Sequence, residues 1–168
     1  MIEVRKVLAY EFNLVRSIRT RALTDAPYAF GGTLEKAVNK PIKEYEFDTK
    51  RWAESEESTL FIAFNSGEAV GKAGAFFEKE SDRAFLCSLW VAPECRKSGI
   101  GKKIVSTVTS WLRNRGATTI YAWVANSNHS AIDFYKSIGF KSTNETKRLP
   151  SNPNEFETLF EHNVSDDR

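Results

Sequence analysis

The sequence of 168 residues contains only two cysteines and two histidines. Cys87 lies in an apolar run and Cys95 in a turn-like segment, so a disulfide is not indicated. His129 and His162 are far apart along the chain, and no spacing of histidine and cysteine typical of a metal site is present. We therefore expect neither a fold stabilised by disulfides nor a bound metal.

Long apolar segments are also missing. No apolar run approaches the length of about 18 residues that a membrane-spanning helix needs. The first residues, MIEVRKVLAYEF, lack the apolar region of a signal peptide. The length suits a single domain, which we assign to residues 1–164, and the polar residues 165–168 are expected to fray. These features predict a cytoplasmic protein with no membrane partner.

The net charge is only +2, but positive charge is concentrated in one segment. Between Pro93 and Gly116 a single acid, Glu94, stands against six cations: Arg96, Lys97, Lys102, Lys103, Arg113 and Arg115. Such a run is typical either of a solvated helix face or of an anion-binding site. Nucleic acid is not an expected partner, because no pattern of basic and aromatic residues accompanies these charges.

Hydrophobic periodicity predicts about seven strands and about four helices. The predicted strands are a short one at Ile2, the segments TLFIAFN, AVGKAGAFFE, AFLCSLWVA and TTIYAWV, one from Phe140, and EFETLFEHNV. The predicted helices begin near Glu11, at Pro41, in GIGKKIVSTVTSWLRNR and in NHSAIDFYKSI. Residues 59–92 read as an antiparallel meander, and the next strand–helix–strand unit makes its two strands parallel. The expected class is α/β (α+β) with a mixed, mostly antiparallel central sheet.

The stretch RKSGIG, Arg96–Gly101, lies where a predicted strand gives way to a helix. It is not a Walker A loop, because Lys103 follows Lys102 where Ser or Thr is needed, and it lacks the third glycine of a dinucleotide fingerprint. The first N–H groups of a helix have no internal partner, and its dipole favours an anion there. The glycines either expose these groups to a pyrophosphate or simply allow close helix packing.

Two motifs at this point resemble the GNAT superfamily of N-acetyltransferases. RKSGIG is similar to its motif A, Q/R-x-x-G-x-G/A, although Lys97 stands where many members have glycine. NHSAIDFYKSIGF resembles its N-x-x-A-x-x-x-Y-x-x-x-G-F element, and the resemblance is close over about residues 84–141. It implies the acyl-CoA N-acyltransferase fold with a splayed parallel strand pair. It also implies acetyl-coenzyme A as cosubstrate, with direct attack of a primary amine on the thioester in a ternary complex.

The resemblance also implies the residues that contact the cofactor. The pyrophosphate would be held by backbone N–H groups, with Lys102 nearby, from Arg96, Lys97, Ser98, Gly99, Ile100 and Gly101. The pantetheine arm would pair with the strand that contains Leu89, Trp90 and Val91, and Asn128 would touch the arm.

The catalytic role implied for Tyr135 is that of the acid near the sulfur, and the Val91 N–H would stabilise the oxyanion. The alternative for Tyr135 is core packing, because Phe134 and other apolar residues share its helix. The group that deprotonates the amine stays unassigned; Glu78 and Ser88 are the residues near enough along the strands to be considered.

The acceptor is less well indicated. PYAFGGTLEKA, residues 27–37, reads as a loop that either forms a wall of the acceptor pocket or lets Tyr28 and Phe30 fill the core. The acceptor is a small-molecule amine or an amine of a protein or peptide, and the alternative function is a non-catalytic acyl-CoA sensor. Homodimers are common in the superfamily, but no interface is indicated by the sequence.

Overall fold

The computed structural model describes residues 1–165, and a seven-stranded sheet forms its centre. The strands are β1 (Ile2–Lys6), β2 (Ser58–Asn65), β3 (Glu68–Phe77), β4 (Ala84–Val91), β5 (Thr119–Ala125), β6 (Lys141–Leu149) and β7 (Asn152–Asn163). Most of the predicted frayed tail, residues 166–168, lies outside the described part of the chain. Ser165 itself is held, because its backbone N–H and its hydroxyl both donate to the side chain of Asn163.

The strands are ordered β1-β2-β3-β4-β5-β7-β6, and every neighbouring pair is antiparallel except β4 and β5. The predicted meander and the mixed sheet are therefore confirmed. The parallel ladder joins only Ala84 to Ile120 and Phe85 to Tyr121. Beyond these pairs β4 and β5 separate, whereas β5 stays paired with β7 along its whole length.

Five α-helices surround the sheet, one more than predicted. They are α1 (Phe12–Asp25), α2 (Leu34–Asn39), α3 (Ile42–Glu54), α4 (Ile100–Asn114) and α5 (His129–Ser137). The additional helix α2 lies in the segment expected to be a loop. Its first turn is stabilised because the Thr33 hydroxyl accepts a hydrogen bond from the Lys36 N–H at 3.2 Å. None of the helices in residues 1–165 is both long and apolar enough to cross a membrane.

The last hairpin is tighter than predicted. The predicted last strand, EFETLFEHNV, begins at Glu155, but β6 ends at Leu149 and β7 already begins at Asn152. Only Pro150 and Ser151 therefore connect the two strands. A proline is tolerated inside β7 at position 153 because it lies beyond the stretch where β7 pairs with β5.

Helices cover both faces of the sheet. Gly71 of β3 lies against α4, where a Cβ atom on it would come within 2.9 Å of Ile104. The next residue, Lys72, lines a cleft together with Val15 of α1 and Trp52 of α3. Because successive residues of a strand point to opposite faces, α4 lies on one face and α1 and α3 on the other.

A β-bulge interrupts β4 where it leaves β5. Lys72 pairs with Trp90 and Gly74 with Cys87, so one residue of β3 stands opposite both Ser88 and Leu89. Ser88 adopts the left-handed region, with φ of 55°. The Ser88 carbonyl accepts a hydrogen bond of 2.9 Å from the Lys72 ammonium group.

Lys72 is a buried charge on a central strand, with 4% of its surface exposed. Burial, together with a smaller effect of the positive charge of Arg19, lowers the pKa of Lys72 to about 8. The Phe30 ring lies 5.1 Å from the ammonium nitrogen and gives it a cation–π contact. In the unfolded chain the pKa of the same group is near its ordinary value of 10.5.

Replacement of Lys72 by methionine is expected to change the pH dependence of stability. A pKa lowered by folding means that the unfolded chain binds more protons between about pH 8 and 10.5, so wild-type stability rises with pH in that window. The wild type should gain about 3 kcal/mol relative to Lys72→Met as the pH increases through it. Urea unfolding of both proteins at several pH values measures this difference. If the free energy of unfolding changed with pH equally in the two proteins, Lys72 would not be desolvated in the folded state.

Candidate functional site

The turn between β4 and α4 leaves backbone N–H groups open. Gly99 precedes the first helical residue with φ of 86°, and no side chain caps the helix. The first hydrogen bond to this end of α4 runs from the Lys103 N–H to the Gly99 carbonyl at 3.0 Å. The N–H groups of Ile100, Gly101 and Lys102 therefore point out of the helix end, where an anion is favoured.

Two residues of the turn occupy the left-handed region. Gly99 does so next to open space, because nothing lies within 4 Å of the position of a Cβ atom. Lys97 has φ of 62°, a conformation that disfavours side chains and suits glycine. This explains why glycine is common in the superfamily at the position that Lys97 occupies.

Glycine at position 101 is explained by packing rather than by backbone conformation. A Cβ atom there would lie 3.3 Å from the Phe134 ring of α5 and 3.7 Å from Val91. Close packing between α4 and α5 therefore accounts for Gly101, whereas the backbone conformation accounts for Gly99. The packing alternative therefore holds for Gly101, whereas exposure of the N–H groups to a pyrophosphate stays a prediction.

A cleft of about 360 Å³ opens beside the turn, between β4, α5 and the segment after α1. Most of the predicted cofactor-binding residues line it: Leu89, Trp90, Val91, Arg96, Lys97, Gly99, Gly101, Lys102 and Asn128. Ala26, Tyr28, Ala29, Phe30, Ser130, Ala131 and Phe134 complete the wall. The structure therefore brings these residues together at one cleft, whereas their contact with a cofactor stays a prediction.

Three predicted residues are not part of this wall. The Ser98 hydroxyl donates to the Cys95 carbonyl, and the Ile100 side chain is 3% exposed in the core. Only their backbone groups face the turn. Tyr135 is 6% exposed, and its ring packs against Phe134 and Phe140. Core packing of the ring, the alternative role, is therefore present as well.

The Tyr135 hydroxyl forms no hydrogen bond with any other residue from 1 to 165. Burial raises the pKa of Tyr135, and proximity to Cys87 raises it further. Burial likewise raises the pKa of the Cys87 thiol, which the nearby Lys72 partly offsets. The phenol is consequently protonated at neutral pH and has a proton available for donation.

The oxygen and the nitrogen of the Asn128 side-chain amide are placed differently. Its side-chain oxygen accepts a hydrogen bond from the Ala131 N–H at 3.2 Å and so caps α5. The amide nitrogen is not needed for the cap. It can donate into the cleft that Asn128 lines.

Arg96 is held by neighbours that sequence analysis did not identify. Its Nε donates to the Val91 carbonyl at 2.9 Å, and its guanidinium pairs with Asp25 at the end of α1. The indole N–H of Trp90 donates to the same carboxylate at 3.0 Å. Asp25 thus fixes the turn to β4 and neutralises Arg96, so the cationic segment contributes less charge to the cleft than its composition suggests.

A second cleft, of about 630 Å³, lies between α1, α3 and the sheet. It is lined by Val15, Arg19, Arg51, Trp52, Ser55, residues 57–60, Lys72, residues 74–79, Cys87 and Ser88. The two clefts lie next to each other at the bulge, because Ser88 lines the second and Leu89 lines the first. The Lys72 ammonium group, which bonds the Ser88 carbonyl, and the Phe30 ring contact each other between them. Sequence analysis missed Lys72, although a lysine within the apolar strand AVGKAGAFF was a visible signal.

Glu78 lines the second cleft at the end away from the bulge. Its carboxylate accepts a hydrogen bond from the Ser81 hydroxyl at 2.6 Å and lies 3.7 Å from Arg83. Ser88 offers its carbonyl to Lys72. These contacts do not indicate that Glu78 or Ser88 is the base that deprotonates the amine.

The segment with two glycines after α1 forms a wall of the first cleft through Tyr28, Ala29 and Phe30, whereas its role as a wall of the acceptor pocket stays a prediction. The Phe30 carbonyl accepts a hydrogen bond of 2.6 Å from the Ser151 hydroxyl in the β6–β7 hairpin. Tyr28 is 52% exposed and lines the first cleft, so it does not fill the core. Phe30 does pack partly against the core, as the other alternative predicted.

The fold is shared with solved acetyltransferases. An acetyltransferase of the GNAT family from Streptococcus pneumoniae superposes with a TM-score of 0.81 at 13% identity, over 98% of this chain and all of that chain. The paiA N-acetyltransferase of Thermoplasma acidophilum, solved in complex with coenzyme A, gives 0.75 at 18% identity, over 97% and 99% of the two chains.

Sequence comparison identifies the family. The "Probable N-acetyltransferase camello" of Xenopus laevis is 36% identical over 90 residues, which cover 53% of this chain and 41% of that protein. The chain spans about half the length of the curated relatives it matches, since the Xenopus tropicalis counterpart is covered to 54%. The profile described as Acetyltransferase (GNAT) family matches residues 23–140, and the chain therefore belongs to that family.

Proposed function

We propose that this chain transfers the acetyl group of acetyl-coenzyme A to a primary amine. The observation that carries the proposal is the position of two neighbouring clefts at the β4 bulge. The cleft lined by Leu89 lies beside an anion-binding turn, and the cleft lined by Ser88 offers room for a second substrate. A sensor of acyl-coenzyme A would need only the first cleft. The second cleft therefore favours catalysis over the sensor alternative.

The turn is suited to the donor's pyrophosphate. The N–H groups of Ile100, Gly101 and Lys102 converge at the helix end, and the side chains of Lys97 and Lys102 line the same cleft. Because β4 has no partner strand on this side beyond Phe85, its backbone is available to the pantetheine arm. The Val91 carbonyl is already bonded by Arg96, so the arm pairs with the remaining groups around Leu89 and Val91.

Acetyl-coenzyme A supplies an activated acyl group whose carbonyl carbon is attacked by the neutral amine. In the proposed mechanism the Val91 N–H donates to the oxygen that becomes negatively charged. The Tyr135 phenol donates to the sulfur as the carbon–sulfur bond breaks. Since burial raises the pKa of Tyr135, this phenol stabilises the thiolate by a hydrogen bond more readily than by complete proton transfer.

Binding of acetyl-coenzyme A is tested by a matched pair at Gly99. Asparagine and aspartate both tolerate the left-handed region, and the space around a Cβ atom is open. Gly99→Asp adds a negative charge at the pyrophosphate site and Gly99→Asn does not. We expect Gly99→Asp to bind at least about 10-fold more weakly than Gly99→Asn by calorimetry. Equal affinities of the two variants would place the nucleotide elsewhere.

Catalysis is tested by removal of the Tyr135 hydroxyl. Tyr135→Phe keeps the ring in its aromatic cluster, so the fold and the affinity for acetyl-coenzyme A should be unchanged. Amine-dependent release of free thiol should fall by about 100-fold, the usual contribution of one acid catalyst. Wild-type turnover in this variant would leave Tyr135 with a packing role only. Binding of acetyl-coenzyme A without amine-dependent thiol release by the wild type would favour the sensor.

A further inference from the structure

The inner end of the second cleft, next to the bulge, is cationic. Arg19 of α1 and Lys72 of β3 both line it, and the charge of Arg19 acts on Lys72. The acids that line the cleft, Glu57 and Glu78, lie at its far end beside Phe77. Phe77 lies five positions after Lys72 along extended β3, a distance of about 16 Å. No acid therefore faces the two cations within the described lining of the cleft.

Neither cation has an acidic partner among residues 1–165. The Lys72 ammonium group donates to the Ser88 carbonyl, and the Arg19 Nε is buried without a hydrogen-bond partner. Other arginines at the same surface are paired, for example Arg51 with Asp48 at 3.5 Å and Arg96 with Asp25. Two adjacent cations without a counter-ion are costly to bury, and an anionic ligand would remove that cost.

The wall segment holds both cations in place. The Phe30 ring lies 5.1 Å from the Lys72 ammonium nitrogen. The Arg19 Nη2 lies 2.7 Å from the position that a Cβ atom on Gly32 would take, so glycine at position 32 makes room for the guanidinium. The Ser151 hydroxyl bonds the Phe30 carbonyl and fixes this segment to the β6–β7 hairpin. The pair of cations is therefore positioned by a fixed wall.

We infer that the acceptor is an amine that carries a carboxylate next to its amino group, as α-amino acids do, and that Arg19 and Lys72 bind this carboxylate. The inference rests on the proposed function and specifies its substrate class. Arg19 presents a planar set of donors that matches a carboxylate. A carboxylate at this end places the neighbouring amine at the bulge, where the two clefts lie next to each other.

The rest of the cleft indicates which amino acids fit. Its walls between the cations and the far end include Leu60, Trp52 and Phe76. An apolar side chain would lie against these residues and exclude water from them. The acceptor class is thus an α-amino acid with an apolar side chain, and polycationic amines are disfavoured by Arg19 and Lys72.

The inference is tested with matched acceptors. L-phenylalanine, L-leucine and L-methionine are each compared with the corresponding carboxamide and with the amine that lacks the carboxyl group, by release of free thiol from acetyl-coenzyme A. We expect kcat/KM to be roughly 10- to 100-fold higher for the amino acid. An α-amino amide is less basic than the amino acid, so protonation of the amine cannot produce this preference. Spermidine and a peptide with a free N-terminus complete the panel.

Variants assign the preference to the cations. Arg19→Gln should lower kcat/KM for the amino acid roughly 10-fold or more and leave the carboxamide nearly unchanged. Arg19→Lys, which keeps the charge, should recover part of the loss. Arg16→Gln removes an exposed arginine one turn earlier on the same helix and serves as the control. Calorimetry with acetyl-coenzyme A verifies that each variant is folded and binds the donor.

Each outcome separates the inference from the proposed function. The inference is overturned if carboxamides, spermidine or the peptide are turned over as well as the amino acids or better, or if no amino acid is turned over. In either case donor binding and release of thiol with another amine would leave the proposed function standing. Failure of the wild type to bind acetyl-coenzyme A overturns the proposed function itself. A preference for amino acids that Arg19→Gln does not reduce would remove Arg19 from acceptor binding and overturn the assignment.

Discussion

The β-bulge at Ser88 is the constraint on which the site depends. β4 and β5 pair at only two positions, so the sheet is open between them from Leu86 onward, and the additional residue of the bulge lies three positions beyond the last pair. The Lys72 ammonium group bonds the Ser88 carbonyl and stabilises the left-handed residue of the bulge. The first cleft, the second cleft and the Tyr135 hydroxyl all lie around the opening, so the geometry of one irregular residue pair determines where a donor and an acceptor can meet.

The charges around this opening have two origins. At the turn before α4 the positive potential comes from backbone N–H groups and from the side chains of Lys97 and Lys102, whereas Asp25 neutralises Arg96. In the second cleft it comes from the side chains of Arg19 and Lys72, which have no acidic partner among residues 1–165. The cationic run of the sequence therefore accounts for the charge at only one of the two clefts.

Sequence patterns correctly predicted the secondary-structure elements that depend on residues close together in the chain. The apolar run in TLFIAFN and the apolar spacing of α4 correctly predicted these elements, because each pattern lies within one short segment. Helix α2 was missed because it is short and its Thr33 cap follows two glycines that favour a loop. Strand β7 begins earlier than predicted, since pairing with β6 outweighs the turn preference of Asn152 and Pro153.

The sequence by itself determined the family, the antiparallel meander with the parallel strand pair that follows it, and the turn at Gly99. Each of these rests on residues close together in the chain. Only the tertiary structure decided that Asp25 binds Arg96, that Tyr135 is buried beside Cys87, and that Arg19 and Lys72 face one cleft. These contacts join residues separated by tens of positions. Local propensity carries no information about such pairs, whereas the packing of α1 onto the sheet brings them together.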